Sequence, residues 1–247
     1  MKKTLIVAIL LTCTVIAKAI KDSAMVVPMF SGGIAFQIPK GDIAKRFGFN
    51  NSTGASFTLK TRNNFLLGAD FEFIFGNNLN DTSIFQNILT SNGYLINTYG
   101  EYAKVVLSER GLYIGGSIGK QFPILAPNPN SGPFFTLGAG LLQYKTRIEN
   151  DGNNTPYILD EYKKGYDKLT NGLCFKEFIG YRYLGNKQAV NFYFGMEFYQ
   201  AWTQNRRSID FDTMTKDISV KEDYLYSFRF GWIIPIYKRM PQEFYFD

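Results

Sequence analysis

The stretch Tyr224–Tyr237, YLYSFRFGWIIPIY, alternates with a period of two. Tyr224, Tyr226, Phe228, Phe230, Trp232, Ile234 and Ile236 share one register; Leu225, Ser227, Arg229, Gly231, Ile233 and Pro235 share the other. Successive side chains of an extended strand point to opposite faces. The stretch therefore predicts a strand with one face wholly apolar or aromatic and a mixed face behind it. A water-soluble sheet would have to cover such a face with other elements, so what covers it decides the class of the protein.

The pattern recurs along the chain. In NFLLGADFEFIFG, Phe65, Leu67, Ala69, Phe71, Phe73 and Phe75 lie opposite Gly68, Asp70, Glu72 and Gly76. In AVNFYFGMEFYQAW, Val190, Phe192, Phe194, Met196, Phe198 and Trp202 lie opposite Asn191, Tyr193, Gly195, Glu197 and Tyr199. LYIGGSIGKQF sets Leu112, Ile114 and Ile118 against Gly115, Ser117, Gly119 and Gln121. Further candidates are 26–38, 50–60, 94–107, 133–147 and 172–184. In the last of these Glu177 interrupts the register of Leu173, Phe175, Ile179 and Tyr181, which a bulge or a position at the barrel mouth would explain. Only 77–93 reads as helical, from a cap at Asp81 through Ile84, Phe85, Ile88 and Leu89. One short helix cannot cover that much aromatic surface, whereas lipid can, and closing the sheet removes the edges that lipid would not tolerate. The fold class expected is all-β: a closed antiparallel transmembrane β-barrel of eight strands, with ten as the alternative.

The first residues, MKKTLIVAILLTCTVIAKA, carry Lys2 and Lys3, an apolar run from Leu5 to Ala17, and the small-x-small triplet Ala17-Lys18-Ala19. This is the plan of a cleaved secretory signal, so residues 1–19 are expected to be a signal peptide and 20–247 the barrel domain. Loss of Lys2, Lys3 and Lys18 lowers the formal net charge from +6 to +3, which removes most of the case for a nucleic-acid partner. Of the two cysteines only Cys174 would remain, so an exported mature chain forms no internal disulfide.

The polar segments TRNN (61–64), SERG (108–111) and GNKQ (185–188) read as tight turns, and 39–50, 77–93, 148–171 and 203–222 as longer loops. Nine candidate strands cannot place all three turns on one side of a membrane. Either one candidate does not span, most simply through a partial strand in 26–50, or a tenth strand lies in 155–166.

The motifs GDIAKRFGFN (41–50), LAPNPNSG (125–132), YKKGYDKLTNGL (162–173), TQNRRSIDFD (203–212) and GWIIPIYKRMPQEFYF (231–246) resemble a family of small outer-membrane β-barrel proteins of Bacteroidota, of the OmpA and OmpW size class. The resemblance covers nearly the whole mature chain. It implies the outer membrane of a Gram-negative bacterium, contact with the lipid bilayer and with other outer-membrane proteins, and an accessory role in outer-membrane assembly or secretion machinery.

The chain contains no histidine. Barrel enzymes that hydrolyse or transfer acyl groups rely on a histidine base, and Ser-His-Asp triads and histidine-bearing metal sites fall with it. No enzymatic activity, cofactor or metal is therefore expected. Asp70, Glu72, Glu197 and Arg229 are instead candidates for ion pairs inside the lumen, with Lys176 and Arg182 as further members, because buried charges need partners. Tyr162, Lys163, Lys164, Tyr166 and Lys168 are candidates for a surface-loop interaction site, since tyrosine beside cations suits protein and lipopolysaccharide contacts. The glycines of GGSIG (115–119) and LGAGL (137–141) sit inside strands rather than before helices, so they are not phosphate cradles. The expected function is a structural or interaction subunit of an envelope complex; the alternative is a small passive channel or hydrophobic-ligand conduit.

Overall fold

The computed structural model describes residues 24–185 and 190–236, so the expected signal peptide, most of GNKQ and the chain after Ile236 lie outside the described residues. Eight strands follow one another: β1 Val27–Gly41, β2 Asn50–Lys60, β3 Phe65–Gly76, β4 Val105–Gln121, β5 Gly132–Asn150, β6 Thr170–Leu184, β7 Asn191–Asn205 and β8 Val220–Pro235. Each pairs antiparallel with its neighbours, and β8 pairs with β1, so the sheet is a closed barrel without a free edge.

The ladder fixes the stagger of the barrel. From Pro28 on β1, paired residues run through Leu59, Leu67, Ile118, Leu137, Glu177, Phe198 and Tyr226. The row returns to β1 at Ile38, ten positions beyond its start. Such a shift requires tilted strands and, for eight of them, sets an interior that side chains alone can fill.

The two faces divide as the alternation predicts. On β8, Tyr226, Phe228, Trp232 and Ile234 point outward, whereas Ser227, Arg229 and Ile233 are buried in the lumen. Small inward residues make room for large ones. A side chain added at Gly54 would collide with the Glu72 carboxylate and the Phe71 carbonyl. The outward belt is bounded by charge, with Lys120 over the Phe65 ring at one end and Lys145, Arg147 and Glu149 on β5 at the other.

The strand count settles at eight, and the candidate that does not span is 94–107. Residues 94–104 are loop, with one bridge between Ile96 and Tyr102, and strand begins only at Val105. SERG is not a turn but lies within β4, pairing with β3 and β5. Its turn-like composition has a lumen cause. Glu109 faces inward and accepts a hydrogen bond from Asn50 at 2.8 Å, and Gly111 faces inward against Ile74. No partial strand occupies 26–50, because β1 is complete. No tenth strand lies in 155–166, where Pro156–Ile158 and Asp160–Gly165 form 3-10 turns.

The helix expected in 77–93 shrinks to a 3-10 turn, Ser83–Phe85, although Asp81 does accept from the Ser83 amide and hydroxyl. Glu177 sits on no bulge, since the β5–β6 pairing is continuous around it, and at no mouth, since it is the middle residue of the 15 in β6.

With eight strands, the short connections 61–64, 122–131 and 185–190 fall at the end that also holds residues 24 and 236. The connections 42–49, 77–104, 151–169 and 206–219, the last three of them longer than any at the first end, fall at the other. A one-turn helix in the first of them, α1 (Ile43–Arg46), lowers Ile43 and Phe47 into the mouth of the barrel.

Candidate functional site

The lumen is built in layers. At its middle, Lys176 on β6 lies 2.9 Å from Glu197 on β7, 3.2 Å from Glu72 and 3.7 Å from Asp70 on β3. Arg229 on β8 lies 2.6 Å from Glu72 and 3.0 Å from Glu197, and its Nη2 donates to Ser52 Oγ at 3.0 Å. Three carboxylates thus share two cations. In so enclosed a place each charge stands only because its partners stand. The structure brings Asp70, Glu72, Glu197 and Arg229 together and makes Lys176 the hub. Arg182 stands apart, nearer the short turns, against the Phe134 ring and bonded to Gln121. The space left beside the charge layer is about 50 Å³, room for a few waters.

An apolar layer closes the barrel on the side of the long loops. The Tyr113 and Tyr199 rings meet edge to face at 5.3 Å, and the Lys176 ammonium lies 5.4 Å and 5.6 Å from their centroids. Above them Phe47 packs on Tyr144 at 6.0 Å, and the Arg46 guanidinium covers both rings. Arg46 also donates to Thr170 Oγ1 and to the Lys168 carbonyl, which pins α1 to β6. Toward the short turns and below the charges, Phe134 stacks on Phe178, and Tyr193 meets Phe178 edge to face.

The long loops pack on one another. Ile84, Phe85, Leu95, Ile148, Ile158 and Tyr166 form a cap with its own buried core. Lys168 ties three segments together through Asp81 at 2.9 Å and Asp212 at 2.7 Å. Arg207 donates to Asp167 at 2.7 Å. Burial pushes the Asp81 carboxyl up, but hydrogen bonds from Ser83 and Lys168 outweigh it and hold the group below its ordinary value. Burial likewise works against the Lys168 ammonium, yet Asp212 and Asp81 raise it above its ordinary value.

Of the five loop residues expected at the surface, Tyr162 and Lys164 are exposed and Lys163 is half-buried. Tyr166 and Lys168 are turned in, the first into the cap core between Phe85 and Phe211, the second into its ion pairs. The partners Asp81, Asp167 and Asp212 come from distant loops. Sequence spacing, which sets Arg207 near Asp210 and Asp212, does not reveal this. A cleft of about 730 Å³ opens between α1 and 206–219, lined by Arg46, Lys168, Asp212, Asp217 and Lys221. Its charges are of both signs and largely paired with one another. Among the described residues no three His, Cys, Asp or Glu side chains converge as a metal site.

No protein-family model and no curated protein matches the chain. Solved structures give distant likenesses. The attachment invasion locus protein Ail of Yersinia pestis is 9% identical over 85% of this chain and 99% of its own, with a TM-score of 0.43. The outer membrane protein OprG of Pseudomonas aeruginosa is 10% identical over 85% and 96%, at 0.40. The N-terminal β-barrel domain of Pseudomonas aeruginosa OprF is 10% identical over 82% and 96%, at 0.34. The barrel architecture rests on the chain's own hydrogen-bonded ladder.

Proposed function

We propose that the chain spans the outer membrane of a Gram-negative bacterium as a closed, non-enzymatic barrel and serves as a structural or interaction subunit of an envelope complex. The observation that carries this reading is the contrast between inside and outside. Phe, Leu, Ile and Trp side chains stand exposed around the barrel, as a lipid-facing belt requires, while the lumen is stopped by a charge layer between two aromatic layers. A stopped lumen leaves the outer belt and the loop cap as the surfaces with which to act. The short connections and both described ends would face the periplasm and the capped loops the outside, the usual arrangement of such barrels. Asp70, Glu72 and Glu197 are committed to Lys176 and Arg229, and without histidine the chain has no general base of the usual kind.

Planar-bilayer recording on the purified barrel tests the reading. A closed plug gives no steady conductance. A reproducible conducting level would transfer the reading to the passive channel. Recovery in the soluble fraction rather than by detergent from outer membranes would remove the membrane assignment.

A further inference from the structure

Glu177 is the exception in the belt. The row of paired outward residues winding from Pro28 to Ile38 holds Leu59, Leu67, Ile118, Leu137, Phe198 and Tyr226, and one charge, Glu177. Its neighbours along β6 are Phe175 and Ile179, both exposed, and those across the ladder are Leu137 and Phe198. It is the middle residue of its strand, it points outward, and no hydrogen bond or ion pair to it occurs among the described residues. An ionisable group at that depth is costly and marks a functional contact unless it is paired.

Beside it the belt is notched. Gly116 and Ala139 are paired outward residues that floor a groove of about 730 Å³, walled by Ile118, Leu137 and Phe175, with Glu177 and Gln200 at one end. A lipid chain would fill the groove but leave the carboxylate in hydrocarbon without a donor.

We infer that the β4–β6 face is a lateral docking surface for a membrane-spanning segment of a different protein, which presents a Lys or Arg side chain to Glu177 and an apolar side chain to the notch over Gly116 and Ala139. Charge complementarity selects this occupant. A second copy meeting on the same face would oppose carboxylate to carboxylate, whereas a cation satisfies Glu177 where water cannot reach it. The inference rests on the reading of the chain as an outer-membrane subunit and adds the face and the chemistry of the partner.

The test is photo-crosslinking in the native envelope, with a photoreactive residue placed in the full chain at Ala139 or, on the far side of the barrel, at Ile34. Cross-linked peptides are read by mass spectrometry. The expected result is an adduct from position 139 to a membrane-spanning segment that bears Lys or Arg, and none from position 34. Its yield should fall roughly tenfold in Glu177→Leu, as loss of one membrane hydrogen-bonded contact implies, and persist in Glu177→Asp. Glu177→Leu should insert and resist heat as well as the parent, which separates lost docking from lost folding. Adducts only to lipid, only to a second copy, or equally from both positions would overturn the inference. Should partner adducts arise from Tyr162 while position 139 meets only lipid, the subunit reading survives and this face is wrong. Absence of the chain from outer membranes would end both.

Discussion

Arg229 on β8 and Glu72 on β3 stand 2.6 Å apart across the lumen, joining two strands that share no backbone ladder. The guanidinium also holds Glu197 and Ser52, so a single side chain braces β8 against β2, β3 and β7. Removing it leaves three carboxylates facing Lys176 alone. Arg229→Ala is expected to lower barrel stability by about 3–5 kcal/mol, the cost of breaking a buried pair. Unfolding in urea followed by heat-modifiable gel migration would show it, and Glu72→Gln introduced together with Arg229→Met should cost distinctly less.

Phe47 is fully buried beneath the loop cap, edge to face with Tyr144. Phe47→Ala should cost about 3–5 kcal/mol by leaving a cavity at the mouth. Bilayers should stay closed, since the charge layer and the aromatics below it remain; steady conductance in this variant would mean that the mouth alone holds the plug.

The Lys168 clasp should govern the loops and not the barrel. Lys168→Ala removes charged hydrogen-bonding contacts to Asp81 and Asp212, each such bond being worth about 1.5–3 kcal/mol. Limited proteolysis should cut within 77–104 and 206–219 far sooner, with the barrel fragment unchanged.

The same clasp sets a pH window. The Asp81 carboxyl is depressed, so its contribution is present above the ordinary value of 3.8 and is lost as pH falls through the lower folded value. The Lys168 ammonium is raised, so its contribution is complete below the ordinary 10.5 and is lost as pH rises through the higher folded value. Protease resistance of the loops should therefore be flat across neutral pH and fail only at the acid and alkaline extremes. A break near neutrality would assign the clasp to other groups.

Phe228 is outward on β8 and 46% exposed. Phe228→Arg should destabilise the barrel in vesicles by roughly 2–4 kcal/mol near the midplane, read from the urea midpoint. Unchanged stability would reject the lipid-facing assignment of the opening stretch.

The division of faces was legible because period-two alternation survives wherever the surroundings differ sharply on the two sides of a strand. The eight-strand count was harder to read. A narrow lumen selects Gly and other small or polar residues, a composition shared with turns, so Ser108–Gly111 look like a turn until Glu109 is seen against Asn50. The inward charges were legible from parity alone, but not the central position of Lys176, which depends on the stagger between β3, β6 and β7. Tyr166 and Lys168 look like surface residues in a polar loop; only the convergence of three distant loops buries them. Glu177 was visible as an interruption, but its depth in the belt required the strand limits.

The last strand also carries the counter-charge of the lumen. Until β8 docks, Asp70, Glu72 and Glu197 face a single ammonium, and the seam of the barrel is open between β1 and β7. Arrival of Arg229 closes the backbone seam and offsets part of the excess negative charge in one step. A partly assembled barrel therefore differs from a finished one in electrical state as well as in shape, and its insertion rate is expected to depend on salt until β8 is in place.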